Sequence, residues 1–365
     1  MWQTRSRDWS ARRVGTAGPS DYPARLAAAW QAHLAERAPE APTVVSLFAG
    51  CGGSSLGYSM AGYRERLAVE WNAQAAATFR RNFPDVPIHE GDIAALSVDE
   101  TLARANLAPG QLDVLDGSPP CQGFSTSGKR ALDDPRNALF REYARLLEGL
   151  RPRAFVMENV GGLVLGKMRL VFVNILRALR ACGYTVTARR MNAMYFGVPQ
   201  SRERMILVGV RADLDVAPSV PRAESYPPTV RQALAGVVID EQERAWLLAA
   251  GQKYAAYAHW ARIPLGRRLA DVPGFTAGFN ARKYHPDRPA PTVVRNDGNL
   301  TMHGAMHWAE RRRFTVAEFK RLASFPDPFQ FAGEWSAAVH QIGNSVPPLF
   351  MRALAGHLRA LLGMM

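Results

Sequence analysis

The sequence has 365 residues, with 45 Lys and Arg against 32 Asp and Glu, which gives a formal net charge of +13 at pH 7. Hydrophobic residues make up 47% and charged residues 21%, so a disordered tail and a collagen-like repeat are excluded and acidic partners are favoured. No apolar run reaches the roughly 18 residues that span a bilayer, and no signal-peptide core is visible, so we expect a soluble protein that is not secreted.

The cysteines are few and widely spaced. Cys51, Cys121 and Cys182 form no CxxC pair, which argues against a disulfide framework and against a zinc ribbon. We expect no metal site, and each thiol is either core filler or reactive.

An N-terminal segment, 1–41, precedes the regular part of the chain. It begins with a stretch that contains Arg5, Arg7, Arg12 and Arg13, followed by an Ala-rich stretch at 24–38 that favours a helix. Two interpretations stay open, a basic accessory arm of unknown role and a poorly ordered terminus.

From residue 43 onward, short apolar runs alternate with turn residues and helical periods, a pattern typical of an α/β sheet. We predict strands at 43–48, 66–70, 87–92, 112–116 and 154–158. A helix at 167–181, ended by Gly183, leads to two further strands at 184–187 and 205–210. Seven strands fit one sheet.

The alternation of apolar runs and helical periods ends after residue 216, where prolines and glycines become irregularly spaced up to about residue 300. Residues 251–325 carry 13 Lys and Arg against 5 Asp and Glu. Charge this concentrated favours a second, smaller domain with a polyanion-binding surface over a merely solvated face.

A glycine-rich loop follows the first predicted strand, in the run Phe48-Ala49-Gly50-Cys51-Gly52-Gly53. Glu70 stands 20 residues after Gly50, at the end of the second strand, and Asp92 ends the third. Glycines let the backbone turn tightly against a ligand at a helix N-terminus, and an acid at the end of the second strand can bind ribose hydroxyls. The two features together indicate a nucleotide-type cofactor. Ser55 at the third glycine position of GxGxxG argues against NAD. Trp71 either stacks on an adenine or packs in the core.

A second loop, 116–125, holds Cys121 between prolines and glycines, which suits a reactive thiol better than a packing one. Glu158 ends the neighbouring strand and could reach the substrate of that thiol. Arg202 and Arg204 are two residues apart at the start of a strand, so they point to one face and suit a phosphate or carbonyl oxygen.

Two signals mark the C-terminal region. Thr315 with Glu318 predicts a capped helix start, and the run 341–348 predicts a turn that opens a final helix at 349–362.

Together these motifs resemble the cytosine-5 DNA methyltransferases, colinearly over about 43–360. The resemblance rests on the FAGCGG loop, Glu70-Trp71, Gly91-Asp92-Ile93, Pro120-Cys121-Gln122, Glu158-Asn159-Val160, Gln200-x-Arg202-x-Arg204 and the run Gln341 to Pro348. It implies a Rossmann-like α/β methyltransferase with a mixed seven-stranded sheet. It implies a catalytic domain at 42–215 and 330–365, and a small irregular target-recognition domain with its hinge at 216–329.

The resemblance implies S-adenosylmethionine as the cofactor. The residues that it places around the cofactor are Phe48, Ala49, Gly50, Cys51, Gly52, Gly53, Glu70, Trp71, Asp92, Ile93, Pro120, Leu139, Asn344 and Ser345. Phe48 and Trp71 would lie against the adenine, and Glu70 would bind the ribose.

The implied reaction begins when the Cys121 thiolate adds to carbon 6 of cytosine, which makes carbon 5 nucleophilic. A protonated Glu158 at N3 relieves the negative charge of the ring, while Arg202 and Arg204 hold the O2 side and a phosphate. The base must be flipped out of duplex DNA, and the segment after Cys121 would close over it. The DNA contacts that we expect there are Gln122, Ser125, Ser127, Lys129 and Arg130. The base that removes the carbon-5 proton is not identified.

The sequence departs from the family at two positions. Ser46 stands where an acid is common, and Ala323 where Gln is common.

Three other functions compete with DNA cytosine-5 methylation. A branch of the same family methylates tRNA and keeps nearly all these motifs, amino-group methyltransferases share the fold and a Pro-Pro loop, and a regulator could keep only the fold. The basic domain favours DNA, and Cys121 argues against amino-group chemistry. We expect a monomeric bacterial enzyme of the cytoplasm and nucleoid, either orphan or paired with a restriction endonuclease.

Overall fold

In the computed structural model, the described residues are 21–119, 138–160, 168–224, 226–253, 255–275, 281–299 and 304–364. Seven strands of this part form one sheet: β1 (Thr43–Leu47), β2 (Arg64–Glu70), β3 (Ile88–Glu90), β4 (Val114–Gly117), β5 (Ala154–Val160), β6 (Tyr184–Asn192) and β7 (Glu203–Arg211). Their order is β3-β2-β1-β4-β5-β7-β6. The first five strands are parallel, and β7 is antiparallel to both neighbours. The predicted mixed seven-stranded α/β fold is confirmed.

The two antiparallel strands are longer than predicted. β6 continues to Asn192, five residues past the expected end, and β7 begins at Glu203. β6 is an edge strand, so its outward residues, including the exposed Arg189 and Arg190, lack the apolar signal that marks a central strand. Pairing with β7 along all nine residues holds it in place.

Helices cover both faces of the sheet. The main ones are α2 (Gly53–Met60), α3 (Ala73–Asn82), α4 (Val98–Ala105), α5 (Ala138–Leu150), α6 (Met168–Ala181), α10 (Val316–Leu322), α11 (Trp335–Asn344) and α12 (Pro348–Leu361). The predicted cap of α10 is present, since Thr315 Oγ1 accepts from the Glu318 amide and Glu318 reaches back to the Thr315 amide. Two apolar clusters, one on each face, form the core.

The C-terminal helix, α12, packs against α2, the helix that follows the first strand of the sheet. Gly57 makes this close approach possible, because a Cβ there would lie 2.5 Å from Met351 Cβ and 2.7 Å from the Pro348 carbonyl oxygen. The helix that follows the glycine loop is therefore braced by the last helix of the chain.

The described part of the N-terminal segment contains helix α1 (Tyr22–Leu34), which lies against the large domain. Tyr22 donates to the Arg321 carbonyl oxygen at 2.5 Å, and His33 Nδ1 lies 2.8 Å from Ser59 Oγ. Burial lowers the pKa of His33 to about 4, so this contact is made by the neutral ring. Arg5, Arg7, Arg12 and Arg13 lie outside the described residues.

The region after β7 is irregular, as the sequence suggested. Its described elements are α7 (Val230–Leu234), α8 (Glu241–Lys253), α9 (Ala255–Ala258), β8 (Ala281–Lys283) and β9 (Gly304–Met306). A small separate cluster that includes Tyr257, Leu269 and Met306 forms its core. Within the described parts of the chain, no helix is long and apolar enough to cross a membrane. The domain boundaries stay a prediction.

Candidate active site

The glycine loop connects β1 to α2 through left-handed backbone. Gly50 and Gly52 have φ of +58° and +94°, and Phe48 has φ of +57°, which is uncommon for an aromatic residue. A Cβ on Gly52 would lie 2.5 Å from Phe83 Cε2, and one on Gly53 would lie 2.5 Å from the Val346 carbonyl oxygen. The loop is therefore closely confined, and strained non-glycine backbone of this kind is concentrated at functional sites.

Glu70, at the end of β2, holds the loop from the neighbouring strand. One carboxylate oxygen accepts from the Gly50 amide and the other from the Asn72 amide, both at 2.8 Å. A carboxylate has about four acceptor sites, so each oxygen can still accept another bond. The predicted acid is thus both a brace for the loop and an available acceptor.

The neighbouring predicted residues differ in exposure. Trp71 is 80% exposed, which excludes the core-packing alternative and leaves its ring available for stacking. Asp92 is exposed and its side chain accepts from the Ala94 amide, while Ile93 is buried. Phe48 and Leu139 are half-buried against the same apolar cluster. These side chains form one apolar and acidic edge at the carboxyl ends of the parallel strands.

The C-terminal run closes the other side of the loop. Cys51 Sγ lies 3.0 Å from Ser345 Oγ, just after α11 ends at the exposed Asn344. Burial raises the pKa of the Cys51 thiol to about 12, and burial also raises the pKa of Cys182. Neither of these cysteines provides a thiolate near neutral pH.

Glu158, near the end of β5, faces β7. Arg204 Nε lies 2.5 Å from Glu158 Oε1, and both side chains are largely buried. The antiparallel register pairs Val160 with Arg204, which places the guanidinium across from the end of β5. The two residues that the sequence assigned to one site are therefore in direct contact.

The strand end also positions the start of the second predicted loop. Asn159 Nδ2 donates to the Pro119 carbonyl oxygen at 3.3 Å, and Gly117 pairs with Met157 in the sheet. The chain therefore enters the loop beside Glu158. The predicted loop residues Pro120, Cys121, Gln122, Ser125, Ser127, Lys129 and Arg130 lie outside the described residues.

Arg202 occupies a different position from Arg204. It is 3% exposed, and its Nη1 donates to the carbonyl oxygens of Val293 and Gly343 at 3.0 and 3.1 Å. Burial, and secondarily the charge of Arg204, lower the pKa of Arg202 to about 9. Arg202 thus links β7 to the irregular region and to α11, which suits a brace better than a contact with an exposed phosphate.

The family model for C-5 cytosine-specific DNA methylase matches residues 42–360. The chain belongs to this family. Type II methyltransferase M1.HphI of Haemophilus parahaemolyticus is 34% identical over 325 residues, which cover 86% of this chain and 85% of that protein. Type II methyltransferase M.NgoPII of Neisseria gonorrhoeae is 32% identical over 318 residues, 83% of this chain and 91% of that protein. The protein is a DNA cytosine-5 methyltransferase.

Solved structures agree with the fold. A protein described as a prophage-encoded DNA modification methyltransferase from E. coli has 26% identity and a TM-score of 0.71, and the match covers 88% of this methylase and 99% of that chain. The S. pombe Dnmt2 methyltransferase has 19% identity and a TM-score of 0.63, with 87% and 98% covered, which supports the fold alone.

The family and the fold imply that the methylase uses S-adenosylmethionine, and the pocket fits such a cofactor. The left-handed glycine loop leaves backbone close to a ligand, Glu70 has free acceptor sites for ribose hydroxyls, and Trp71 exposes an aromatic face for adenine. When bound, the cofactor supplies an electrophilic methyl group.

Replacing Glu70 with glutamine should weaken cofactor binding. One side of an amide is an N–H donor, so it cannot accept from both the Gly50 and the Asn72 amides. Losing one charged hydrogen bond predicts a Kd for S-adenosylmethionine that is about 10- to 100-fold higher, measured by calorimetry. Glu90→Gln is the matched control, since Glu90 ends β3 in an exposed pair with Arg80. Equal affinities in the two variants would contradict the role of Glu70.

Replacing Trp71 with alanine should separate binding from stability. The side chain is 80% exposed, so unfolding free energy should change by less than about 0.5 kcal/mol. Loss of stacking predicts roughly tenfold weaker cofactor binding. Calorimetry measures the affinity and urea unfolding measures the stability, and unchanged affinity for S-adenosylmethionine would contradict the stacking role of Trp71.

Some of the residues that build the site carry a role that the sequence did not reveal. Asn159 belongs to the Glu158-Asn159-Val160 motif, and its side-chain amide donates to the Pro119 carbonyl oxygen. Asp116 and Tyr58 lie under the loop and contact each other at 3.4 Å. An unusual acid inside the apolar β4 was a usable signal for Asp116, whereas the contact of Asn159 depends on the fold alone.

Proposed function

We propose that this methylase transfers a methyl group to carbon 5 of a flipped cytosine, within a specific short duplex DNA sequence, through a covalent Cys121 adduct. The observation that carries the proposal is the strand end at β5, where Glu158 contacts Arg204 and Asn159 fixes Pro119, two residues before Cys121. This arrangement supports the proposal because it places Pro119, the last described residue before Cys121, next to the strand end that carries Glu158.

The edge formed by the glycine loop and the ends of β2 and β3 would hold the cofactor. Glu70 binds the ribose hydroxyls, Phe48 and Trp71 lie on the adenine, and Asp92 with Ile93 meets the adenine edge. Ala49, Gly50, Cys51, Gly52, Gly53, Pro120, Leu139, Asn344 and Ser345 complete this pocket. The support is the left-handed glycine loop, with Glu70 hydrogen-bonded to Gly50 on one side and Ser345 in contact with Cys51 on the other.

The reaction starts with a bond between the Cys121 thiolate and carbon 6 of cytosine, which moves the electrons of the C5–C6 double bond toward carbon 5. Carbon 5 would then attack the electrophilic methyl group that bound S-adenosylmethionine supplies, and the electrons of the broken carbon–sulfur bond would stay on the sulfur. A base removes the proton of carbon 5, the double bond re-forms, and the thiolate departs. Cys121 thus ends as it began.

Glu158 acts on the opposite edge of the base. Carrying a proton, it donates to N3 and accepts from the exocyclic amine, which relieves negative charge in the ring. Arg204 holds the Glu158 carboxyl and is directed toward the O2 side. The sequence grouped Arg202 with Arg204. Arg202 is buried, and its role is to hold the start of β7 against α11 through the Gly343 carbonyl oxygen.

Duplex DNA lies between the large domain, 42–215 with 330–365, and the target-recognition region, 216–329. Because the base faces are stacked in a duplex, the cytosine is flipped before reaction. Gln122, Ser125, Ser127, Lys129 and Arg130 contact the DNA as the loop closes. The net charge of +13 supports binding that weakens steeply with salt.

The enzyme acts as a monomer on DNA. Because its substrate is bacterial DNA, it works in the cytoplasm, at the nucleoid. Its similarity to Type II methyltransferases supports a modification role beside a cognate restriction endonuclease. The same similarity and the DNA-specific family favour DNA over the tRNA alternative.

Bisulfite sequencing of a plasmid treated with the purified enzyme and S-adenosylmethionine tests the proposal, with Cys121→Ala as the control protein. Protection of cytosines at one short motif is the expected result, and it also identifies the recognition sequence. A parallel arm measures methyl incorporation into tRNA. No protected cytosine above the control, or incorporation into tRNA only, would overturn the proposal.

A further inference from the structure

Two carboxyl groups are buried beneath α2, outside the set of residues that the reaction uses. Asp116 lies on β4 and is 3% exposed. Glu65 lies on β2, and its Oε2 is buried without a hydrogen-bond partner among the described residues. Buried carboxyls of this kind cost free energy when ionised, so their presence calls for a physical role.

Hydroxyl groups of α2 connect both acids to the cofactor loop. Ser55 Oγ donates to Glu65 Oε1 at 2.9 Å, and Tyr58 donates to Asp116 Oδ1 at 3.4 Å. Ser54 is a further hydrogen-bond partner of Asp116. Ser54 and Ser55 are in the first turn of α2, immediately after the glycine loop, so the carboxyls act on the helix start that faces the cofactor.

The same acids connect to the catalytic side. Asp116 is followed by Gly117 at the end of β4, and three residues after Asp116 comes Pro119, which Asn159 holds. A β-bulge in the pairing of β1 with β2 skips Arg66 and sets Glu65 toward Ser55 and Ser46. The cluster therefore lies between the cofactor loop and the strand that leads to Cys121.

The buried groups around Glu65 have more hydrogen-bond acceptors than donor protons. Ser55 has one hydroxyl proton, but both Glu65 Oε1 and Ser46 Oγ, at 2.9 and 3.4 Å, lie within its reach. A protonated Glu65 can donate to one of these hydroxyls, which frees Ser55 to donate onward. An ionised Glu65 leaves a buried charge whose Oε2 accepts nothing from the described residues.

Cations do not compensate the two acids among the described contacts. The charges that act on them are acidic: Asp116 acts on Glu65, and Glu158 acts on Asp116. Arg64 and Arg66 flank Glu65 in the chain, but they donate to the carbonyl oxygens of Pro39 and Ala105.

The remaining titratable groups near α2 are directed elsewhere. Tyr63 and Tyr143 donate to backbone carbonyl oxygens, and burial raises the pKa of both phenols. His33 and Arg37 contact Ser59 near the other end of the helix, and Arg359 of α12 donates to the Ala61 carbonyl.

Burial therefore dominates the titration of both acids. It raises the pKa of Asp116 to about 7 and that of Glu65 to about 8. A raised acid pKa means that the folded state binds more protons than the unfolded state. The contribution of the two acids to the free energy of unfolding is therefore greatest at low pH. It is lost as the pH rises through their pKa values in the folded protein.

We propose that Glu65 and Asp116 are positioning residues that, in their protonated form, hold the start of α2 so that the glycine loop binds the cofactor. Ionisation of the pair loosens the helix start and weakens cofactor binding. The inference rests on the proposed cofactor site, and it deepens that site by adding a pH-dependent support.

Cofactor calorimetry between pH 6.5 and 9 tests the pair. The wild-type enzyme should bind S-adenosylmethionine at least about fivefold more weakly at pH 9 than at pH 6.5. Glu65→Gln with Asp116→Asn, which imitates the protonated pair, should reduce that difference to less than about twofold. Glu100→Gln, an exposed acid on α4, is the matched control and should follow the wild-type profile.

A second variant keeps the test decisive if the double variant fails to fold. Ser55→Ala removes the donor to the Glu65 carboxylate, so the midpoint of the binding profile should move to higher pH. Profiles of the Ser55→Ala or amide variants that coincide with wild type would overturn the inference. Normal cofactor binding without any DNA methylation would instead contradict the proposed function, so the two failures are distinguishable.

Discussion

Replacing Cys121 with serine will abolish methyl transfer and leave S-adenosylmethionine binding largely intact. A serine hydroxyl is a far weaker nucleophile than a thiolate, so carbon 6 is not attacked and carbon 5 stays unreactive. We expect turnover to fall by at least about 10³-fold. Radiolabelled methyl incorporation into DNA measures turnover, and calorimetry measures cofactor affinity.

Cys182→Ser is the matched control for this substitution. Cys182 is half-buried after α6, where burial raises the pKa of its thiol, and it should tolerate serine with unchanged turnover. If Cys121→Ser lost cofactor binding instead of turnover, the thiol would belong to the cofactor pocket and the proposed mechanism would be wrong.

Replacing Glu158 with glutamine should lower kcat by about 10²- to 10³-fold, with little change in the KM for S-adenosylmethionine. Glutamine keeps the shape and can form both hydrogen bonds to the base, but its amide N–H cannot transfer a proton to N3 as negative charge develops in the ring. It also replaces the carboxyl group whose Oε1 lies 2.5 Å from Arg204 Nε. Steady-state kinetics at saturating DNA separate the two parameters.

Glu203→Gln provides the comparison for Glu158→Gln, because Glu203 is the exposed residue at the start of the strand that carries Arg204. It should change kcat by less than about twofold, as exposed ion pairs contribute little. Near-normal kcat in Glu158→Gln would show that the ring charge is stabilised by another group.

The sheet was predictable because its central strands are short apolar runs, each ended by turn residues or an acid. Burial on both faces produces that pattern in β1, β4 and β5. The edge strand β6 was underestimated for the opposite reason, since its outward residues are polar and charged. Its pairing with β7, and not its composition, sets its length.

The candidate site was predictable where a residue type implies its chemistry. Glu70 was assigned from its place after a strand, and the structure puts it on the glycine loop. The exposure of Trp71 was not predictable, because an aromatic residue beside an acid suits a core as well as a ligand face. The buried position of Arg202 was also invisible in a run of alternating charges, since its partners come from distant carbonyl groups.

The position of Glu65 shows why local patterns could not reveal the buried acids. In a regular strand, alternation assigns each residue a face, but the bulge at Arg66 interrupts the alternation and re-aims Glu65 under α2. Asp116 interrupts an otherwise apolar strand, and only the fold shows that Tyr58 contacts it.

Covalent trapping tests the central claim most directly. A duplex carrying the motif found by bisulfite sequencing, with 5-fluorocytosine at the target position, has no carbon-5 proton to remove after methylation. The mechanism predicts a complex that survives denaturing electrophoresis, requires S-adenosylmethionine, and maps by mass spectrometry to Cys121. Attachment to another residue, or methylation of the normal duplex with no trapped complex, would contradict the account.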